Sequence, residues 1–562
     1  MSDSPLVLGP LLRYVGEDAA TIWVQTRDDA RVSVHAFGRS FTTRTFTVHG
    51  RHFALVLLGD LPTSESSDYR VDIDGEEVWP RPEQTFEGLP PSRIRLLRHT
   101  EPTRLAFGSC RTSVPHDAEG NRSNGVDALR AYAHWLSRPD RREDEWPHLV
   151  CFLGDQVYAD ETSDEMREYI ASRRSLDEEP GEELKDFDEY AHLYQLAWSD
   201  PLNRWLFSTL SSTMIFDDHD IRDDWNTSRS WLEEMRATSW WHGRIVGGLA
   251  SYWVFQHAGN LSPAALAEDE IWKVVAGHDD EQGELDLTDV LDAFAERVDA
   301  RPDTYRWSYS RDLGESRLIV VDSRAARVLE PGERSILDPV EMDWLDEQLH
   351  GDVDHLFIGT SLPFLIAQGI HDLEAINEAM ASGAWGQRWA GMGEKVRRAV
   401  DLEHWAAFQE GFRKVFDMVV ETARGERGRA PGTITFLSGD VHNSYVTEIS
   451  PQQLGPGAST VVQLVCSPIR NPLPRVVRVL QAFIGKGLSR PLRLVVSRSS
   501  TVPNAPMSWT LTEGPWFDNN LATLEVKGRG LVVRWDKGEV DGDTLADLDA
   551  PRIREVARVT ID

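Results

Sequence analysis

The apolar pattern of this chain changes character near residue 100. Before that point the runs are short, rich in β-branched and aromatic residues, and partly alternating: Thr21-Ile-Trp-Val-Gln-Thr26, Arg31-Val-Ser-Val-His-Ala36 and His52-Phe-Ala-Leu-Val-Leu57. Turn clusters such as Arg27-Asp-Asp29 separate them at intervals of about ten residues, which predicts a small all-β sandwich over residues 1–95. The Pro-rich passage from Trp79-Pro-Arg-Pro82 to Leu89-Pro-Pro91 reads as a linker.

From about residue 103, strand-length apolar runs alternate with longer helical segments, an α/β plan with a layered core. Strands are expected at 104–107, 149–153, 214–216, 318–321, 355–358 and 433–437. A helix is expected over Arg236 to Gln256, and residues 371–425 read as largely helical. An acidic stretch, Thr162 to Asp188, reads as an insertion. Leu521-Ala-Thr-Leu-Glu-Val526 and Gly530-Leu-Val-Val-Arg-Trp535 flank a Lys-Gly-Arg turn and predict a hairpin. The domain plan is therefore 1–95, 103–470, and a closing segment 471–562 whose hairpin completes the preceding domain.

Three of the apolar runs end alike. Leu149-Val-Cys-Phe-Leu runs into Gly154-Asp-Gln-Val-Tyr158, Met214-Ile-Phe into Asp217-Asp-His-Asp220, and Ile434-Thr-Phe-Leu into Ser438-Gly-Asp-Val-His442. The carboxyl ends of strands in an α/β sheet are where ligand sites form. Gly154 lets the chain turn sharply, and Tyr158 returns to the side of Asp155. Carboxylates packed as closely as those of 217–220 repel one another unless a cation or Arg neutralises them. Asp440 and His442, at alternate positions, point the same way. Each segment taken alone is also compatible with a polar loop or a hydrogen-bonded pair. Their force lies in the match.

Composition narrows the setting. A hydrophobic fraction of 41% can build a large core. A formal net charge of -33 disfavours non-specific nucleic-acid binding, which needs a positive surface. Three cysteines make no disulfide framework. Neither a basic-then-apolar leader nor an apolar run of about 18 residues is visible, so the expected location is the cytoplasm. Cys151 and Cys466 sit within apolar runs and read as buried hydrophobes. Cys110, in Leu105-Ala-Phe-Gly-Ser-Cys-Arg111, follows another strand-to-turn transition and is a candidate thiolate ligand.

Cys110, Asp155, Tyr158, Asp218, His219, Asp440 and His442 are thus expected at the ends of adjacent strands, as a dinuclear metal site. Thiolate, phenolate, carboxylate and imidazole together suit a ferric ion beside a divalent one. Two close metals suit phosphate-ester hydrolysis. Arg111 and Arg222 are expected phosphate contacts, since guanidinium matches phosphate oxygens.

The phrases Phe-Gly-Ser-Cys-Arg, Gly-Asp-Gln-Val-Tyr-Ala-Asp, Phe-Asp-Asp-His-Asp and Ser-Gly-Asp-Val-His, in that order, resemble the PhoD-like alkaline phosphatases of the calcineurin-like metallophosphoesterase superfamily. The resemblance spans roughly residues 103–470 and extends to the leading sandwich. It implies a four-layer α/β/β/α core and a hydrolase of phosphomonoesters or phosphodiesters acting through a metal-bound hydroxide. It implies Fe(III) with one or two divalent ions, calcium first, with manganese, magnesium or zinc as alternatives. By the same resemblance Cys110, Asp155, Tyr158 and His442 hold the iron, Asp155 bridges, Asp218 and Asp440 face the second metal, and His219 meets the phosphate and protonates the leaving group. Secreted members carry a twin-arginine leader, which is not seen here, and this favours an intracellular esterase.

A local charge reversal stands apart. Pro451 to Thr512 contains no acidic residue but holds Arg470, Arg475, Arg478, Lys486, Arg490, Arg493 and Arg498. Leu473, Val476, Val477, Leu480, Phe483 and Ile484 recur there at helical spacing. One reading docks this face on the acidic body. The other brings it to an anionic membrane surface. Two further functional readings follow: a non-catalytic metal-containing binding protein working through the 470–498 segment, and a phospholipase-type phosphodiesterase.

Overall fold

The structure is a computed structural model that describes all residues except 1–3, 81–87, 100, 351, 474–495, 497–498 and 500. The basic 470–498 segment therefore lies almost wholly outside the described residues, as does much of the expected linker.

The strand-rich N-terminal region is a sandwich. One sheet runs in the order Leu6–Val15, Ala20–Thr26, Arg51–Leu58, Phe46–Val48, with Leu285–Asp286 from the following region at its edge, and the other in the order Arg39–Arg44, Arg31–Ala36, Arg70–Ile73, Glu76–Trp79. Alternation decides which side chain goes where. Leu12, Ile22, Val24, Ala54 and Val56 fill the space between these sheets with Val32, Val34, Val71 and Val78. Their neighbours Leu11, Trp23, Phe53 and Leu55 point the other way, into the core of the following domain. That second face explains why the runs alternate only partly: both sides are buried.

Two larger sheets form the body. Six strands run in the order Ser211–Ile215, Leu149–Leu153, Arg104–Gly108, Asn520–Lys527, Gly530–Glu539, Arg552–Ile561. Seven run in the order Tyr309–Leu313, Ser316–Val321, His355–Thr360, Thr433–Ser438, Thr460–Val465, Ser444–Ile449, Trp509–Trp516. Leu318, Val320, Phe357, Leu437 and Leu464 of the second sheet share one cluster with Leu105, Phe107, Cys151 and Leu153 of the first. Ile319, Val321, Ile358, Ile434 and Phe436 face the opposite way, against Met342, Leu345, Phe412 and Phe416 of helices Pro339–Gln348 and Gln409–Ala423. Helix Ala128–Leu136 covers the outer side of the six-stranded sheet. The result is the helix, sheet, sheet, helix layering that the family resemblance implied.

Several expectations needed correction. The predicted helix over 236–256 breaks into Arg229–Arg236 and Trp241–Tyr252, the latter ending in a wider turn over Trp253–His257. The acidic segments do not sit on adjacent strands of one sheet. The strands before Cys110, Asp155 and Asp217 are neighbours in the six-stranded sheet, whereas the strand before Asp440 belongs to the seven-stranded one. Periodicity reports burial, not sheet membership. The predicted hairpin pairs Asn520–Lys527 with Gly530–Glu539 and lies antiparallel to Arg104–Gly108, extending the first sheet. Among the described residues no helix is long and apolar enough to cross a membrane.

Arg13 joins the sandwich to the body. It is fully buried and donates from Nη1 to the Phe255 carbonyl (2.7 Å) and from Nη2 to the Gln256 carbonyl (2.8 Å) and Asn260 Oδ1 (3.1 Å). These groups lie where the helix 241–252 ends, so the guanidinium satisfies carbonyls that the helix leaves open. Arg13→Met should leave these buried acceptors unpartnered and destabilise the protein by about 2–4 kcal/mol. A thermal midpoint equal to that of the parent would show that the joint does not depend on Arg13.

Candidate metal centre

The strands end together at one edge of the two-sheet core, and close backbone approach there is needed to bring the motifs into contact. A Cβ on Gly439 would fall 1.8 Å from Ser109 Oγ, and one on Gly154 would fall 2.6 Å from Asp217 Cβ. Ser109 Oγ accepts the Asp440 N–H (3.0 Å), so the seven-stranded sheet is pinned to the six-stranded one at the site itself. Cys110, Asp155, Asp440 and His442 all have positive φ, 57°, 49°, 64° and 49°. Non-glycine residues enter this region at a cost of about 1–2 kcal/mol each, and such strain gathers at functional sites.

Of three sets of potential ligand atoms among the described residues, one (Asp218, His219 and Asp223) lies at the more exposed rim, and the other two lie side by side. Cys110, Asp155 and His442 offer atoms within 4.8 Å of one another, and so do Asp155, Asp217, Asp218 and Asp440. Asp155 belongs to both sets. Tyr158 donates its hydroxyl to Asp155 Oδ2 (3.3 Å). Asp155 Oδ1 and Asp217 Oδ2 are buried with no hydrogen-bond partner among the described residues. Buried polar atoms are rarely left so, and unpaired acceptors aimed into one space call for a cation. Ser467 Oγ donates to Cys110 Sγ (3.3 Å), fixing the sulfur.

The electrostatics point the same way. Burial, together with Asp217, Asp218 and Asp220, pushes the Asp155 carboxyl well above its usual range. Burial and then Asp217 and Asp218 do the same to Asp440. Burial and the Asp155 and Asp440 charges raise the Cys110 thiol. Burial, then His219, lowers His442 to about 4, so its imidazole is neutral and keeps a lone pair to donate. A bound cation reverses the first three effects by favouring the anions.

Asp220 positions the others. Its Oδ2 accepts the backbone N–H of both Asp155 and Asp217, each at 2.9 Å, and Gln256 holds its Oδ1 (3.3 Å). His219 stands at the rim, with its ring 4.7 Å from that of Tyr158 and its Nδ1 2.9 Å from Asp160 Oδ1. Burial alone would lower the His219 pKa, but Asp160 and Asp218 hold it well above the ordinary value.

The two arginines expected at phosphate are not in this cluster. Arg111 is buried, with Nε on Asp127 Oδ2 (2.9 Å) and Nη1 on the Ala197 carbonyl (2.6 Å). It thereby ties the start of helix Ala128–Leu136, capped by Asp127, to the end of helix Phe187–Trp198. Arg222 pairs with Glu183 (3.1 Å). The arginine that does enter the cluster is Arg324, fully buried, with Nε on Asp217 and Nη1 2.5 Å from Glu403 Oε2. Its Nη2 lies 3.2 Å from Asp218 Oδ1 and 3.9 Å from Asp440 Oδ1. The signal for it was present: Leu318-Ile-Val-Val321 ends in Asp322-Ser-Arg324, and Asp322 accepts the N–H of 324, 325 and 326 to shape the turn. His404 also joins, with Nδ1 2.6 Å from Glu374 Oε1 and Nε2 3.7 Å from Asp440 Oδ2. Nothing in its local sequence marks it.

A cavity of about 520 Å³ opens from the cluster. Asp218, His219, Asp440 and His442 line one end, while Ile366, Ile370, Leu373, Leu402, Leu511 and Phe517 form an apolar wall.

Gly439→Ala should push Ser109 aside, break its hydrogen bond to Asp440 N–H, and separate the two halves of the site. Metal content by elemental analysis is expected to fall while circular dichroism stays that of a folded protein. Full metal content in this variant would mean that the close approach is not needed.

Comparison with known proteins completes the picture. Residues 3–94 match a domain of unknown function, DUF7800. Residues 127–483 match the PhoD-like phosphatase family. Among solved structures, one titled "Structure of PhoD" superposes with TM-score 0.57 at 12% identity, covering all of this chain and 94% of that one. A maltogenic amylase from S. marinus, at 8% identity and TM-score 0.15 with 100% and 83% covered, is too unlike to inform the fold. Comparison with curated proteins gives no match. With the family match covering more than half the chain and lying over three of the four motifs, this protein belongs to the PhoD-like phosphatases and is a phosphoesterase.

Proposed function

We propose that the protein hydrolyses phosphate esters at two cations held between its sheets. The observation that carries this reading is that Asp155 belongs to both ligand sets. Cys110, Tyr158 and His442 with Asp155 form a set suited to a ferric ion, while Asp217, Asp218 and Asp440 with Asp155 offer the all-oxygen surroundings that suit calcium or another hard divalent ion. The unpartnered Asp155 Oδ1 and Asp217 Oδ2 support the fit. When bound, such a pair polarises phosphoryl oxygens and lowers the pKa of water enough to supply hydroxide near neutral pH.

The side chains do the rest. His219 lines the cavity where it meets the cluster; Asp160 holds its Nδ1, and its Nε2 lies 3.9 Å from Asp223 Oδ1, another residue of the cavity wall. Asp160, which holds no cation in this arrangement, favours a proton on the ring, so His219 can bind a phosphate oxygen and then give that proton to the departing alkoxide. Asp160 fixes the ring's orientation and supports its charge. Arg324 offsets part of the acid cluster and keeps Asp217 and Asp218 in place before any cation arrives. The apolar wall gives the organic part of the ester a place to lie, which admits diesters as well as monoesters.

Asp155→Asn should lose both metals and at least about 10³-fold in kcat, because the shared ligand is gone, while remaining folded. Hydrolysis of nitrophenyl phosphate and of its bis-ester, with elemental analysis beside it, reads this out. Wild-type turnover in Asp155→Asn would refute the assignment. His219→Ala should retain metal but lose about 10²–10⁴-fold in kcat. Restoration of the rate with a substrate whose leaving group needs no proton would locate the lost proton. An equal loss on every leaving group would remove His219 from that role.

A further inference from the structure

The four carboxylates of the all-oxygen ligand set are not held alike. Asp155 accepts the Tyr158 hydroxyl (3.3 Å), Asp217 accepts Arg324 Nε, and Asp218 accepts the Asp224 N–H (3.0 Å). The Asp440 carboxylate has no hydrogen bond among the described residues; Arg324 Nη2 stands 3.9 Å from its Oδ1 and His404 Nε2 3.7 Å from its Oδ2. Asp440 is also the one member of the set that comes from the seven-stranded sheet.

The backbone at His404 is fixed on both sides. Glu403 before it pairs with Arg324 and with Arg327 (3.2 Å), and Trp405 after it is buried, its Nε1 donating to Thr360 Oγ1 (3.4 Å). Behind the ring, Nδ1 lies 2.6 Å from Glu374 Oε1 on helix Gln368–Ala381. Glu374 is fully buried, and His404 is its ion-pair partner among the described residues. A carboxylate out of water needs such a partner, and in return it fixes the direction of the imidazole it holds. Nε2, the remaining nitrogen, is buried without a hydrogen-bond partner among the described residues, beside the Asp440 carboxylate. His404 belongs to none of the three sets of potential ligand atoms, so it reaches the cluster through Asp440. We propose, on the reading that Asp440 faces the second cation, that Glu374 and His404 are positioning residues for Asp440 and set how tightly that cation is held. Ligating carboxylates depend on outer partners of this kind, which contribute about 10–100-fold in metal affinity.

The test is calorimetric titration of the full-length protein with calcium, and separately with manganese, after chelation only strong enough to remove the more weakly held cation. Elemental analysis counts the cation that stays. H404N, whose amide meets Glu374 but does not reach Asp440, should bind the added cation about 10–100-fold more weakly and keep the retained one. H404Q, whose amide comes near the position of Nε2, should recover part of that affinity. E374Q/H404N should be no weaker than H404N, since Glu374 acts only through the ring. Raising the calcium concentration should return most of the nitrophenyl phosphate turnover that H404N loses. Parent affinity in H404N, an equal loss in H404N and H404Q, or loss of the retained cation would each overturn the proposal. So would unchanged cation affinity with weakened binding of inorganic phosphate, which would make His404 a substrate contact. A parent that takes up no second cation would remove the two-cation reading as well, whereas parent affinity in H404N would leave that reading standing.

Discussion

Buried negative charge in one small space is the constraint on which the rest of this structure depends. Buried Asp155, Asp217, Asp218, Asp220 and Glu403 converge with half-buried Asp440, and Arg324 is the cation that touches most of them, with Arg327 beside it on Glu403. Charges out of water are tolerated only when paired or hydrogen bonded. The fold supplies part of the answer through backbone N–H groups on Asp220 and through Arg324. The unpartnered oxygens of Asp155 and Asp217 mark what remains for a cation to supply.

Holding that charge requires a scaffold that does not yield. The site therefore lies on the edge of two sheets packed face to face, with helices outside both. Gly439 and Gly154 have no room for a side chain because Ser109 and Asp217 occupy the space. The positive φ angles at Cys110, Asp155, Asp440 and His442 turn each side chain off its strand end and into the common space. The surrounding sheets over-determine these conformations, so the strain is borne by the core and the ligand atoms stay in place. The N-terminal sandwich adds to this rigidity through Arg13 and through a sheet buried on both faces.

Much of the site was legible because each part is encoded locally. An apolar run leading directly into Asp, with His or Tyr nearby, marks a strand whose carboxyl end carries chemistry, and Asp155, Tyr158, Asp218, Asp440 and His442 follow that rule, while Cys110 was marked by a strand-to-turn transition alone. Arg324 shares the apolar run followed by Asp, at Asp322, but has no His or Tyr beside it, and a basic side chain does not suggest a metal site. His404 and Glu374 could not be read, since they come from helical segments whose polar residues look like any solvated face. Arg111 misled for the opposite reason. It sits beside Cys110 in sequence, yet its side chain turns to Asp127 because that buried carboxylate needs a partner.

The sequence by itself determined the strand ends, the residue types placed there, and the all-β character of the first region, because these depend on periodicity and on neighbours a few residues away. Tertiary structure decided that Asp440 comes from a second sheet, that Arg324 rather than Arg111 or Arg222 enters the acid cluster, and that Trp389 and Met392 face outward while Arg397 faces in. These outcomes depend on which sheet packs against which, and on where a buried charge finds its counter-charge. Both are set by contacts between residues far apart in the chain.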